Sequence, residues 1–320
     1  FAYNNLPQLF KDLVVKSGKN VDIYTEVTSG YLGDHAYYSS TDSKIKEQKW
    51  DYVILQGVGS LMAYPDYYTH HPVYSALQIL KQKIISNCNT TKMVYCLPWA
   101  FEDGMTWVQG WTDDYADMQL KIYTRTLQYA NDIGFVIAPV GWAWNTVLAD
   151  LAYPLHYLHL SDWNHPSLKG SYLMACTIYS TVYQEECTDI PFYSSIDKQD
   201  ARYFQDIASN TVMYNLYLWK IITGIKDELI LPDNKFQLHQ NYPNPFNSRT
   251  SIEYKIQKES QVEIIVYDIF GKKQAILVNE FKLPGNYSVI FDTRNLNSGI
   301  YYYKIKVGDQ YQTKKMILSR

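Results

Sequence analysis

The chain has 320 residues, 47% of them apolar and 19% charged, with a formal net charge of −3. This composition excludes a disordered tail, a collagen-like fibre and a small disulfide scaffold, and near-neutral charge argues against nucleic acid as the default partner. The length predicts two domains, and so does the charge: residues 231–320 carry 13 Lys+Arg and 8 Asp+Glu, a net of +5, against −8 for the rest.

Residues 1–230 alternate short apolar runs with amphipathic stretches. Leu6–Val15 reads as a helix, Val21–Val27 as a strand, and Tyr52–Gln56 as an apolar strand closed by Gly57 and Gly59. A helix over Ala76–Ile85 precedes the strand Lys92–Leu97, which Pro98 stops. Between Asp114 and Asn131, Tyr115, Met118, Ile122 and Tyr129 share a helical face. Phe135–Ala138 is a strand ending at Pro139, and Gly170–Tyr183 is a strongly apolar helix. Strand alternating with helix predicts a parallel sheet covered on both faces, with its site in the loops beyond the carboxyl strand ends.

From Leu231-Pro232-Asp233-Asn234 the pattern changes to short β runs: Ser251–Ile256, Val262–Asp268, Tyr287–Phe291 and Ile300–Val307. Gly271, Pro284-Gly285 and Ser298-Gly299 supply turns. The expected domains are thus 1–230, α/β, and 231–320, a small all-β sandwich. No run approaches the roughly 18 apolar residues of a membrane-spanning helix. The cysteines, Cys88, Cys96, Cys176 and Cys187, form no C-x-x-C pair, which argues against a zinc or redox motif. Cys96 and Cys176 read as small buried hydrophobes.

The sharpest chemical signal is Asp162-Trp163-Asn164-His165-Pro166-Ser167. An Asp three residues before a His, in a polar loop ahead of a helix, can fold back to accept the Nδ1 proton, leaving Nε2 as a base. Pro166 fits the first turn of the helix that follows. A capping Asp beside a surface His is the plainer reading of the same spacing.

In this context the sequence resembles the SGNH/GDSL hydrolases, over roughly residues 1–215. Ser161–Tyr183 is similar to the family's last block, whose D-x-x-H supplies the catalytic Asp and His; Ala138–Trp144, Asp117-Met118-Gln119, Lys49–Gln56 and Asn4–Leu13 resemble earlier segments in order. The resemblance implies a flavodoxin-like three-layer α/β/α parallel sheet and ester hydrolysis by a serine nucleophile, with Asp162 and His165 catalytic and neither cofactor nor metal. It implies oxyanion donors at Gly30, with Gly33 as rival, and at Gln56 of Leu55-Gln56-Gly57-Val58-Gly59-Ser60, where a turn glycine and a buried strand-end amide are the plain alternatives. The family's nucleophile motif, G-D/N-S, would fall just before Phe1. No residue from Phe1 to Asn5 can replace that serine, so the first strand and nucleophile are expected upstream, and this chain alone is expected to be inactive.

The loop Pro98–Asp114 carries Trp99, Trp107 and Trp111 among Glu102, Asp103, Asp113 and Asp114. Indole faces beside carboxylates suit sugar rings, so these tryptophans are expected to bind a carbohydrate ester such as an acetylated polysaccharide. Loop packing is the competing explanation. A non-catalytic carbohydrate-binding protein on the same scaffold is the alternative function. His70-His71, His156 and His159 are expected to be solvated or core residues and not metal ligands.

The run from Phe236 to Asn247 contains Asn241-Tyr242-Pro243-Asn244-Pro245-Phe246-Asn247. Val266–Gly271, Leu296–Tyr301 and Lys315–Leu318 follow. Together they resemble the type IX secretion C-terminal sorting domain. That resemblance implies export across an outer membrane by the type IX machinery, to the surface or the medium.

Overall fold

The computed structural model describes residues 3–26, 30–64, 72–108, 114–148, 153–213, 215–216, 218–221, 236–241, 243–268, 272–294, 296–308 and 310–318. The chain divides into two compact units, Phe1–Gly224 and Ile225–Arg320.

The first unit contains helices α1 (Leu6–Lys16), α2 (Leu32–His35), α3 (Ser39–Lys46), α4 (Gly59–Ala63), α5 (Pro72–Asn87), α6 (Tyr115–Ile133), α7 (Val140–Leu148), α8 (Leu168–Tyr183) and α9 (Lys198–Met213). Strands β1 (Tyr52–Gln56), β2 (Lys92–Cys96) and β3 (Val136–Ala138) form one parallel sheet in the order β1-β2-β3. The apolar runs of β2 and β3 are continuous because both faces are covered. Val94, Cys96 and Ala138 meet α1 and α8 on one side, while Met93, Tyr95 and Ile137 meet α5 and α6 on the other. Cys96, Cys176 and Cys187 are buried thiols in the first of these cores.

The strand expected at Val21–Val27 does not form: residues 21–26 have no regular structure, and Val27 lies outside the described residues. Their alternation still turns Val21 and Ile23 toward the core that Tyr52 and Ile54 line. Alternation sets facing, but a strand also needs a ladder partner for its N–H and C=O groups. Among the described residues β1 pairs with β2 alone, and all five of its residues are half-buried, unlike those of β2.

Helix α8 begins at Leu168, not at Pro166. Ser167 is its N-cap, with Oγ accepting from Gly170 N at 3.2 Å, and Pro166 is instead bridged to His159. Gly170 is required by close approach, since a Cβ there would collide with the Leu158 carbonyl and the Trp144 ring.

In the second unit, β4 (Phe236–Leu238), β5 (Arg249–Ile256) and β8 (Gly285–Asp292) form a sheet ordered β4-β5-β8. Strands β6 (Ser260–Asp268), β7 (Lys273–Lys282), β9 (Gly299–Val307) and β10 (Gln310–Leu318) form a second, ordered β10-β9-β6-β7. Ile252, Tyr254 and Ile256 from one sheet and Val262, Ile264, Val266, Tyr303 and Ile305 from the other share a single core. The sequence reading missed β4, β7 and β10. Both β7 and β10 are edge strands rich in Lys and Gln, whose solvated positions dilute the alternation that reveals a strand. Asn241, in the Asn-Tyr-Pro-Asn-Pro run, is buried and fully bonded: its backbone N–H donates to Tyr303 Oη (2.8 Å) and its Nδ2 to Thr250 Oγ1 (2.9 Å) and the Pro243 carbonyl (3.1 Å).

Candidate active site

Register fixes the working edge of the sheet. Gln56, Cys96 and Ala138 lie side by side as the last residues of three parallel strands, and the Leu97 N–H extends the ladder to the Ala138 carbonyl at 2.9 Å. The segment that follows β2 bonds directly to the D-x-x-H loop: the Trp99 indole N–H donates to the Asn164 carbonyl (2.7 Å) and the Glu102 N–H to the Trp163 carbonyl (2.9 Å). The D-x-x-H loop therefore stands at the carboxyl edge, where α/β sheets place their sites.

Residues 158–167 close into a tight turn. Ser167 N–H donates to the Leu158 carbonyl (2.8 Å), Leu160 N–H to the His165 carbonyl (2.7 Å) and Trp163 N–H to the Leu160 carbonyl (3.0 Å). Trp163 sits at the tip with φ +66, a left-handed conformation costly for a bulky residue. The bend brings Asp162 to the Nδ1 edge of the His165 ring. Asp162 Oδ1 accepts from the backbone N–H of His165 (2.9 Å) and of Asn164 (3.1 Å), and Oδ2 accepts from His165 Nδ1 at 2.7 Å.

Partial desolvation pushes the Asp162 carboxyl up. The N–H groups of His165 and Asn164 and the imidazole outweigh it and hold the group at about 2. Asp162 is thus ionised at neutral pH and can only accept. The proton between the two residues belongs to Nδ1, and the lone pair of the neutral ring lies on Nε2. Both side chains are reachable, with 40% of His165 and 47% of Asp162 exposed.

The turn entering α1 meets this pair. Tyr3 stacks on the His165 ring at 4.1 Å and 19°. Asn4 and Asn5 adopt left-handed conformations that Asn tolerates better than most residues. Asn4 Nδ2 donates to the Pro166 carbonyl (3.0 Å) and to Ser171 Oγ (2.9 Å), tying the α1 entrance to the loop and to α8. Sequence spacing could not reveal these contacts, which cross more than 160 residues.

Gln56 lies at the same carboxyl edge, and the start of α4 just beyond it touches the loop behind β2, since a Cβ on Gly59 would collide with the Trp99 carbonyl. Gly30 has φ +153, and its neighbours are Asp34 and Tyr38. The three tryptophans part company. Trp99 is 8% exposed and stacked on Trp144 at 4.5 Å, so it supports the loop from within and is not the exposed sugar platform expected of it. Trp107 is 60% exposed and packs on Phe101. Trp111 lies outside the described residues, as do His70 and His71.

His159 is buried, and burial lowers its pKa. Its Nε2 donates to the Ala100 carbonyl at 2.9 Å. His156 is paired with Glu102: Glu102 Oε2 accepts from Nδ1 (2.6 Å) and Oε1 from the His156 backbone N–H (2.5 Å). Both residues were visible in the sequence, but 54 positions apart nothing joined them. Among the described residues no three His, Cys, Asp or Glu side chains converge as metal ligands.

The first unit, a parallel sheet with helices on both faces, has the three-layer α/β/α fold expected of it. Solved structures similar to this chain include a DUF4886 family protein from Bacteroides uniformis (TM-score 0.53, 18% identity, covering 66% of this chain and 92% of that one). A protein classed as an SGNH hydrolase from Slackia heliotrinireducens gives 0.44 at 20% identity, with coverages of 55% and 90%. One classed as a GDSL-like lipase from Parabacteroides merdae gives 0.39 at 17%, with 56% and 79%. At 18% identity the likeness to the DUF4886 family protein speaks for fold alone. No curated protein matches the sequence.

Residues 240–319 match the family model of the secretion system C-terminal sorting domain. The chain carries a type IX sorting domain, which marks it for export across the outer membrane. No helix among the described residues is long and apolar enough to cross a membrane.

Proposed function

We propose that the protein is an exported serine ester hydrolase in which Asp162 and His165 are the acid–base pair and the nucleophilic serine is supplied by chain preceding Phe1. The observation that carries this reading is the Asp162–His165 hydrogen bond with its three converging donors. A surface capping Asp would need only the backbone bonds. The arrangement also fixes Nδ1–H and frees Nε2, as a general base requires. One feature supports the upstream nucleophile: the chain entering α1 arrives against the His165 ring.

In the proposed reaction the serine Oγ attacks the ester carbonyl as His165 Nε2 takes its proton. The backbone N–H groups of the serine and Gly30, with the Gln56 side chain, hold the oxyanion. His165 returns the proton to the departing alcohol. Water then attacks the acyl-enzyme with His165 again as base, releasing the acid and restoring the serine. Trp107 is proposed as the sugar-stacking residue of a carbohydrate ester, with Trp111 four residues further along the sequence and Trp99 holding the loop from beneath.

Hydrolysis of p-nitrophenyl acetate tests the reaction. The chain produced with its natural upstream coding segment should turn over, and the 320-residue chain should not. Turnover by the 320-residue chain that disappears in His165→Ala would overturn the upstream nucleophile. Inactivity of both chains, with retained binding of acetylated xylan, would favour the non-catalytic carbohydrate binder. Trp107→Ala should weaken binding of that polymer by roughly two- to tenfold, the range for one aromatic contact. Unchanged affinity removes Trp107 from the site.

A further inference from the structure

The carboxylate–imidazole pair formed by Glu102 and His156 is unused by the proposed reaction, yet it touches the catalytic turn at its strained point. Glu102 is 11% exposed on its side chain and engages in both directions. Its carboxylate accepts from the His156 ring and backbone, and its own backbone N–H donates to the Trp163 carbonyl. The His156 ring in turn stands edge-on to the Trp163 indole at 4.9 Å and 84°. His156 and Trp163 both have left-handed backbones, with φ +62 and +66. Histidine visits that conformation more readily than most residues, but bulky Trp163 holds it only with support. Two left-handed residues thus face each other, one glutamate bonds to both, and Trp163 directly follows Asp162.

The rest of the loop after β2 acts in the same direction. Trp99 holds the Asn164 carbonyl, and the Ala100 carbonyl accepts from His159. That loop is itself pinned by Gln119 of α6, whose Oε1 accepts from Ala100 N–H (2.8 Å) and whose Nε2 donates to the Pro98 carbonyl (3.1 Å). A rigid helix therefore supports a loop that grips the catalytic turn at residues 159, 163 and 164.

We infer that Glu102 and His156 are positioning residues, which hold Trp163 in its left-handed bend and thereby keep the Asp162 carboxylate against His165 Nδ1. The inference rests on the reading of Asp162–His165 as the acid–base pair. Its consequence is that the register of that pair is set by a second carboxylate, and not by the Asp-x-x-His spacing alone. Without the Glu102 charge the ring of His156 loses its fixed orientation, the edge contact on Trp163 loosens, and the turn samples conformers in which Asp162 and His165 separate.

The test uses nitrogen-15 NMR of the histidine rings in the 320-residue chain, which needs no turnover. In the unaltered protein His165 should show a proton fixed on Nδ1 and slow to exchange with solvent. Glu102→Gln, close in shape, should leave the fold intact by circular dichroism while the exchange rate of that proton rises roughly tenfold, as expected for loss of a charge-assisted hydrogen bond in the supporting chain. Glu102→Asp, keeping the charge, should recover part of the protection. A purely structural Glu102 would lower the unfolding temperature and leave the His165 signal unchanged, which overturns the inference. If the unaltered protein shows His165 without a fixed Nδ1 proton, the reading of the acid–base pair fails first, and this inference with it.

Discussion

Two carboxylate–imidazole pairs stand within one loop system, and their difference is instructive. Asp162–His165 and Glu102–His156 have nearly the same hydrogen bond, 2.7 and 2.6 Å from Nδ1 to carboxylate. The first has both partners open to solvent and a ring backed by Tyr3. The second has a nearly covered carboxylate that also accepts from the His156 backbone N–H, and a ring that stands edge-on to the Trp163 indole. The chemistry of the pair does not decide its role. What each partner does with its remaining groups decides it: a reachable Nε2 can serve a substrate, while a glutamate shared between two left-handed segments serves geometry.

Substitutions in the chain carrying its natural upstream segment should separate the pairs by size of effect. His165→Ala should reduce ester hydrolysis by about 10⁶-fold, because the base and the nucleophile act as a unit. Asp162→Asn should cost about 10⁴-fold by allowing the wrong tautomer. Glu102→Gln should cost only about tenfold, mainly in kcat, since it displaces the acid–base pair without removing it. Equal losses for Asp162→Asn and Glu102→Gln would erase the distinction between the pairs.

The smallest effect concerns acid. The Asp162 carboxyl is depressed to about 2 by the N–H donors that overcome its desolvation. A depressed carboxyl contributes stability that is fully present above its unfolded value, about 3.9, and is lost as pH falls from there through the folded value. The Nδ1–H signal of His165 should therefore survive to about pH 3 and fade only near pH 2. Because the group is largely exposed, the accompanying change in global stability should be slight. Loss of the signal near pH 4 would mean that the three donors do not act together.

The layering of the first unit was legible because buried parallel strands write themselves as unbroken apolar runs. Tyr52–Gln56 and Lys92–Cys96 have the predicted bounds or nearly so. Val21–Val27 misled because its alternation reports facing and not pairing. Asp162 and His165 were legible because their contact is local, three residues apart in a turn. Tyr3, Asn4 and the Glu102–His156 pair were not, since their partners are brought close only by the packing of α1 against α8 and by the loop after β2. Trp99 misled for a related reason: an indole in a polar loop reads as exposed, but its N–H had a carbonyl partner at Asn164 that made burial affordable.

The most direct test of the central claim is to treat the full secreted chain with a p-nitrophenyl phosphonate ester and map the modified residue by mass spectrometry. The account predicts a single phosphonylated serine on a peptide upstream of Phe1, with labelling abolished in His165→Ala and retained in His156→Ala. Labelling of a serine within residues 1–320, or labelling indifferent to His165, would contradict it.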